Sequence, residues 1–129
     1  MSIKVDISVG ELLDKITILE IKAERITDPG KLNNVNKELS VLIQQWETSE
    51  YSSCDLTSEI AELKKINEQL WEIEDAIRDE EKNKTFDERF IDLARSVYVV
   101  NDNRAKMKHI INEKAGSELT EEKSYSEYN

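Results

Sequence analysis

Residues 85–116 read TFDERFIDLARSVYVVNDNRAKMKHIINEKAG, and their spacing decides the fold. Thr85 stands where an N-cap belongs, with Glu88 three residues on to complete a capping box. Gly116 lies just past the last apolar residue, the place of a left-handed residue that ends a helix. Between them Phe86, Phe90, Leu93, Val97, Val100, Met107 and Ile111 recur at helical steps, with Arg104 in the gap of the row. A helix over this stretch is roughly 45 Å long, too long for a small globular core to cover along one side. The other apolar segments must therefore lie along it.

Three such segments precede it. Ser8, with Glu11 three residues on, is a second capping box, and Val9, Leu12, Ile16, Leu19, Ala23 and Ile26 form the row that follows. Leu13, Ile18 and Ile21 lie beside or off that row, so this helix is apolar over more than one stripe. Before it, Ile3, Val5 and Ile7 alternate with polar residues, the pattern of a short extended arm. Asp28-Pro29-Gly30 is a turn, after which Leu32, Val35, Leu39, Leu42 and Trp46 mark a second helix. Its period ends at the polar loop near Thr48–Ser53. A third helix runs from about Leu56 to Lys82 on Ile60, Leu63, Ile66, Leu70, Ile73 and Ile77. The expected fold is all-α, an antiparallel bundle of about four helices with long coiled-coil-like hairpins. The helices over 8–26 and 85–115 should form its centre. The domain spans 1–116, and 117–129 is an acidic tail that can dock back on it through Tyr125 and Tyr128.

Composition narrows function. The 129 residues carry a formal charge of −10, which argues against binding nucleic acid or an anionic membrane surface. No apolar run approaches a transmembrane length, and the first residues lack the basic and apolar regions of a secretory signal. A single cysteine, Cys54, excludes an internal disulfide and fits a reducing compartment, so the expected location is the cytoplasm. His109 is the only histidine, which removes histidine-based metal sites within one chain. No Gly-rich phosphate loop, paired CxxC, HExxH or GxSxG is present, and no cofactor is expected.

Polar residues interrupting the apolar rows are the remaining candidates. Counting outward from the turns brings Asn67 level with Asn101, and Arg104 within about a turn of both. A buried guanidinium demands an anionic partner, for which Glu20, Glu24 or Asp102 is expected. Such a layer can hold a carboxylate or phosphate between helices. It can equally fix helix register, as a lone asparagine does in a coiled coil. If the tail folds back, the Tyr125 hydroxyl reaches this layer, so the candidate binding residues are Asn67, Asn101, Asp102, Arg104 and Tyr125.

Two enzyme readings compete with a plain scaffold. Glu72, Glu74 and Asp75, facing the acids of the next helix, resemble the Mg²⁺ carboxylates of all-helical nucleoside-triphosphate pyrophosphohydrolases. The second acid pair departs from that pattern, because Glu88 and Asp92 are four apart and Arg89 and Arg95 intrude. Chorismate mutases bind a dicarboxylate with cations from several helices, a role open to Lys15, Lys22, Arg25, Arg78, Arg95 and Arg104.

The blocks SVGELLDKITILEIKAERI (8–26), LWEIEDAIR (70–78), FDERFIDLARSVYVVNDNRAKMKHIIN (86–112) and GSELTEEKSY (116–125) together resemble a family of short, uncharacterised, all-helical bacterial proteins, known only as a domain of unknown function. The resemblance implies genes lying near those for glycosyltransferases and surface polysaccharides. It brings no activity and no catalytic residues. The reading that results is a non-enzymatic interaction or accessory protein acting as a homodimer, with a protein partner or a small anion as its ligand. Outward-facing Ile18, Ile21, Val99 and Ile110 are the expected dimer surface.

Overall fold

The computed structural model describes residues 1–128 as four α-helices and one short 3-10 turn. These are α1 (Val9–Arg25), α2 (Pro29–Thr48), α3 (Thr57–Lys82) and α4 (Glu88–Ala115), with the 3-10 turn at Glu50–Ser53. No strand occurs among the described residues and the helices pack on one another, so the chain is all-α. Residues 1–7, including the alternating Ile3, Val5 and Ile7, are exposed and form no strand.

The helix ends have local causes. Ser8 Oγ accepts the Glu11 N–H at 3.1 Å and starts α1. Only this half of the capping box forms, because the Glu11 carboxylate turns towards Lys108 and Lys15. Asp28 caps α2 by accepting the Lys31 N–H at 2.9 Å, with Pro29 in the first turn, where its missing N–H costs nothing. At α4 the expected cap is corrected. Asp87, not Thr85, receives the Phe90 N–H at 3.2 Å. The Thr85 N–H is already used at the end of α3, donating to the Glu80 carbonyl at 2.9 Å. Gly116 ends α4 with φ 70°, the left-handed geometry its position implied.

Burial falls unevenly. α1 touches each of the other three helices and buries Val9, Gly10, Leu13, Asp14, Ile16, Thr17, Leu19 and Ile21. α4 buries only Lys108, Ile111 and Asn112, all in its last third, so α1 alone is the central helix. The core joins Val9, Leu13 and Ile16 of α1 to Leu56 just before α3, Leu63 of α3 and Ile111 of α4, with Leu39, Leu42 and Trp46 of α2 packed against it. Glu59, near the start of α3, pairs with Lys114 near the end of α4 at 3.0 Å, while Glu80 pairs with Arg89 at 2.6 Å. The two long helices thus run in opposite directions.

Their lengths explain the exposed residues. The 28 residues of α4 span about 42 Å and the 17 of α1 about 25 Å, so α1 covers little more than half of its neighbour. Past its reach, α3 and α4 bury little beyond the stripe where they face each other. Phe86, expected in the apolar row, is therefore 57% exposed and stacks edge-on against Phe90. Ile21, expected on the surface, is buried because α1 has neighbours on three sides, and Ile18 is half-buried.

Candidate functional site

The polar layer is built around a residue that the sequence did not single out. Asp14 of α1 is 1% exposed, and a carboxylate in that position must be compensated by charge and hydrogen bonds. Arg104 of α4 supplies both as a fork, with Nε–H donating to Oδ1 at 2.9 Å and Nη2 donating to Oδ2. From α3, Asn67 Nδ2 donates to the same Oδ1 and to Thr17 Oγ1, each at 3.0 Å. The Thr17 hydroxyl in turn donates to the Asp14 backbone carbonyl at 2.9 Å. Asn101 sits beside Arg104 and takes a long 3.5 Å contact from Nη1. Hydrogen bonding to Asp14 holds the guanidinium above its ordinary range, against the opposing effect of burial.

The expected acid is thereby corrected. It is neither Glu20, Glu24 nor Asp102: Glu24 binds Lys64 at 2.6 Å and Asp102 faces the tail. The cause is the close approach of α1 to α4. A Cβ added to Gly10 would lie 2.6 Å from the Lys108 carbonyl oxygen, and the Gly10 N–H reaches Asn112 Oδ1 at 2.6 Å. That contact seats the start of α1 on the last turns of α4. One turn further along, Glu11 meets Lys108, and one more brings Asp14 to Arg104. Counting across three turns places Glu20 rather than Asp14 beside Arg104, an offset of six residues along α1 or about 9 Å.

Lys108 forms a second rung. It is 7% exposed, and its Nζ lies 2.6 Å from Glu11, 3.4 Å from Glu121 and 3.9 Å from Asp14. Asp14, Thr17 and Lys108 all escaped the sequence reading. The available signal was Asp14, Thr17 and Ile21 at i, i+3 and i+7, one helical stripe on an already apolar helix. Lys108 follows Arg104 by four residues, hence on the same face.

The tail lies along α4 above these rungs. Ser117 Oγ accepts the Val9 N–H at 3.1 Å and donates to the Leu119 carbonyl. Tyr128 donates to Asp102 Oδ2 at 2.7 Å and sets its ring edge-on to Tyr98, centroids 5.1 Å apart. Tyr125, expected to reach the layer, is 78% exposed, with Lys123 over its ring. Asn129 lies outside the described residues. Between tail and helix is a cleft of about 600 Å³ lined by Tyr98, Asn101, Asp102, Arg104, Lys108 and Tyr125 among others. Of the candidate residues, only Asn67 is beneath it, buried in the layer.

The charges on the tail predict how docking responds to pH. Burial pushes Glu121 up, but Lys108 and Lys123 outweigh it and hold the carboxyl below its usual 4.5. Its contribution is complete above 4.5 and fades as pH falls through the lower folded value. Tyr128 is raised above 10.0 by its hydrogen bond to Asp102, so its contribution is complete below 10.0 and fades as pH rises through the higher value. NMR signals of residues 118–128 should therefore show two transitions, one acid and one alkaline, around a docked neutral plateau. Signals flat across the whole range would show that neither contact holds the tail.

The alternative carboxylates do not assemble. Glu72 pairs with Arg25 at 3.6 Å, Glu74 with Arg78 at 3.2 Å, and Asp75 is exposed. Among the described residues no group of three or more His, Cys, Asp or Glu side chains is placed to hold a metal ion. Of the cations considered for a dicarboxylate pocket, Arg104 alone lines the cleft, and Asp14 already engages it. Among the described residues no helix is long and apolar enough to cross a membrane.

Comparison with known proteins adds one match: the model of a family described as "Family of unknown function (DUF6165)" covers residues 3–128. Neither curated proteins nor solved structures yielded a match. Since that one model takes in the four helices, the polar layer and the tail alike, the chain belongs to this family of unknown function.

Proposed function

We propose that this protein is a non-enzymatic interaction or accessory protein of the cytoplasm, working as a homodimer through its helical surface. The observation that carries the reading is the outward side of α4, where Ile91, Val99 and Ile110 are 54%, 41% and 45% exposed. Their spacings of eight and eleven residues keep all three within about 100° of the helix circumference, an arc they share with Arg95, Lys106 and Glu113. Apolar positions interleaved with both signs of charge, present on every copy, can meet a second copy of themselves about a two-fold axis. The polar layer supports the non-enzymatic part: Asp14, Asn67 and the inward edge of Arg104 already satisfy one another, which is what a register-fixing core needs. The free thiol of Cys54 and the charge of −10 support a reducing, nucleic-acid-free setting.

Light scattering at micromolar concentration tests it. The expected mass is twice the 15.0 kDa of one chain, and Val99→Glu combined with Ile110→Glu should return it to a single chain without loss of helicity. A wild-type protein of single-chain mass would withdraw the dimer.

A further inference from the structure

We infer that the cleft between α4 and the C-terminal tail binds a small organic anion, a carboxylate or phosphate on a compact body, and that Glu121 occupies the charged end of the site in its absence. This goes beyond the dimer reading and does not depend on it.

Charge is the first ground. In a chain of net −10, the cleft lining carries Arg104, Lys108 and Lys123, with Asp102 covered by the Tyr128 hydroxyl. Arg104 and Lys108 are paired inward with Asp14 and Glu11, while Glu121 reaches both Lys108 and Lys123. With Glu121 displaced, an anion would meet Lys123 and the donors of Arg104 that Asp14 leaves unused. Arg104 spends Nε and Nη2 inward on Asp14, while Nη1 makes only the 3.5 Å contact to Asn101 and 29% of the side chain remains exposed. Its planar fork can therefore hold Asp14 on one edge and offer N–H groups to the cleft on another.

The second ground is the way Glu121 sits. Lys108 holds Glu11 at 2.6 Å, but Glu121 only at 3.4 Å, and the Glu121 side chain is 43% exposed. Its other oxygen is 3.3 Å from Lys123. A loose, half-solvated carboxylate lying between two lysines is the arrangement that a ligand carboxylate or phosphate would reproduce. Because Glu121 belongs to the tail beyond Gly116, outside any helix, it can yield the place without disturbing the bundle.

Shape supplies the third ground. Val97, Ala105 and the rings of Tyr98 and Tyr125 give the cleft apolar wall beside its cationic floor, and about 600 Å³ leaves ample room for a ligand carrying a ring. The ring would lie against tyrosine while its acid reached Lys123 and the outer edge of Arg104.

The test is an NMR titration of the full chain with benzoate, phenyl phosphate and inorganic phosphate in turn. Saturable shifts are expected at residues 98–108 and 121–128 with the first two probes, and none in α2. Glu121→Gln should tighten binding about two- to fivefold by removing the competing carboxylate, and Lys123→Gln should weaken it by a similar factor. Both side chains are close to half-exposed and hold no part of the core, so neither variant threatens the fold. No saturable shift with either organic probe at ~10 mM, where even millimolar affinity registers, would overturn the site. Glu121→Gln weakening binding would overturn the stand-in role of that residue. Inorganic phosphate binding as tightly as phenyl phosphate would overturn the organic body. All three outcomes are read independently of the oligomeric mass.

Discussion

Asp14→Ala is expected to lower stability by about 3 kcal/mol, the largest loss from any single side chain outside the apolar core. The carboxylate is 1% exposed and is the common acceptor for Arg104 and Asn67. Removing it strands a half-buried guanidinium, an amide with one partner fewer, and the 3.9 Å attraction that Lys108 feels. Breaking a buried pair from one side costs about 3–5 kcal/mol, and the partial exposure of Arg104 places this case at the lower end. In a chain of 129 residues that is a fall in Tm of roughly 10 °C. Asp14→Asn should also destabilise, because its amide would point N–H groups at the Arg104 donors. The double change Asp14→Ala with Arg104→Met should recover part of the loss, since an apolar replacement of both partners leaves no charge unpaired. Thermal melts of the four proteins check this. A double variant no more stable than Asp14→Ala alone would show that the pair is not what the layer depends on.

Gly10→Ala comes next, with an expected loss of about 2 kcal/mol. At an ordinary helical position this substitution stabilises by up to about 1 kcal/mol, so the sign itself is diagnostic. Here the new methyl would lie 2.6 Å from the Lys108 carbonyl oxygen and 3.0 Å from Asn112 Oδ1. A backbone carbonyl cannot rotate aside as a side chain can, so α1 would have to move off α4. That movement would stretch the Gly10–Asn112 hydrogen bond and, below it, the Glu11–Lys108 and Asp14–Arg104 rungs. Gly30 is the control: its nearest neighbour is Asp28 Oδ2 at 3.4 Å, and Gly30→Ala should be neutral or mildly stabilising. Urea unfolding of both variants with an unchanged m-value would complete the comparison. A stabilised Gly10→Ala would mean that the two helices stand further apart.

Much of the bundle was legible because its causes are local. Ser8 receives the Glu11 N–H, Gly116 turns left-handed, and the apolar rows lie on helices whose bounds fall within a few residues of those the periodicity implies. At the start of α4 locality failed: Asp87, not the expected Thr85, receives the Phe90 N–H, and the Thr85 N–H is bound at the end of α3. Periodicity likewise named the apolar residues without saying how far each helix would be covered. Phe86 therefore stands in solvent while Ile21 is enclosed.

By itself, then, the sequence determined an all-α chain, the number and approximate ends of its helices, and the unusual polarity of Asn67, Asn101 and Arg104 within apolar rows. Caps and a 3.6-residue period act over a few residues, so a single strand of text contains them. Tertiary structure decided that Asp14 is the acid they meet, that Lys108 stacks above it, and that the tail returns over α4 to roof a cleft. Those outcomes follow from the register of α1 against α4, nearly a hundred residues apart in the chain. A close backbone approach at Gly10 sets that register, and no count along the sequence contains it.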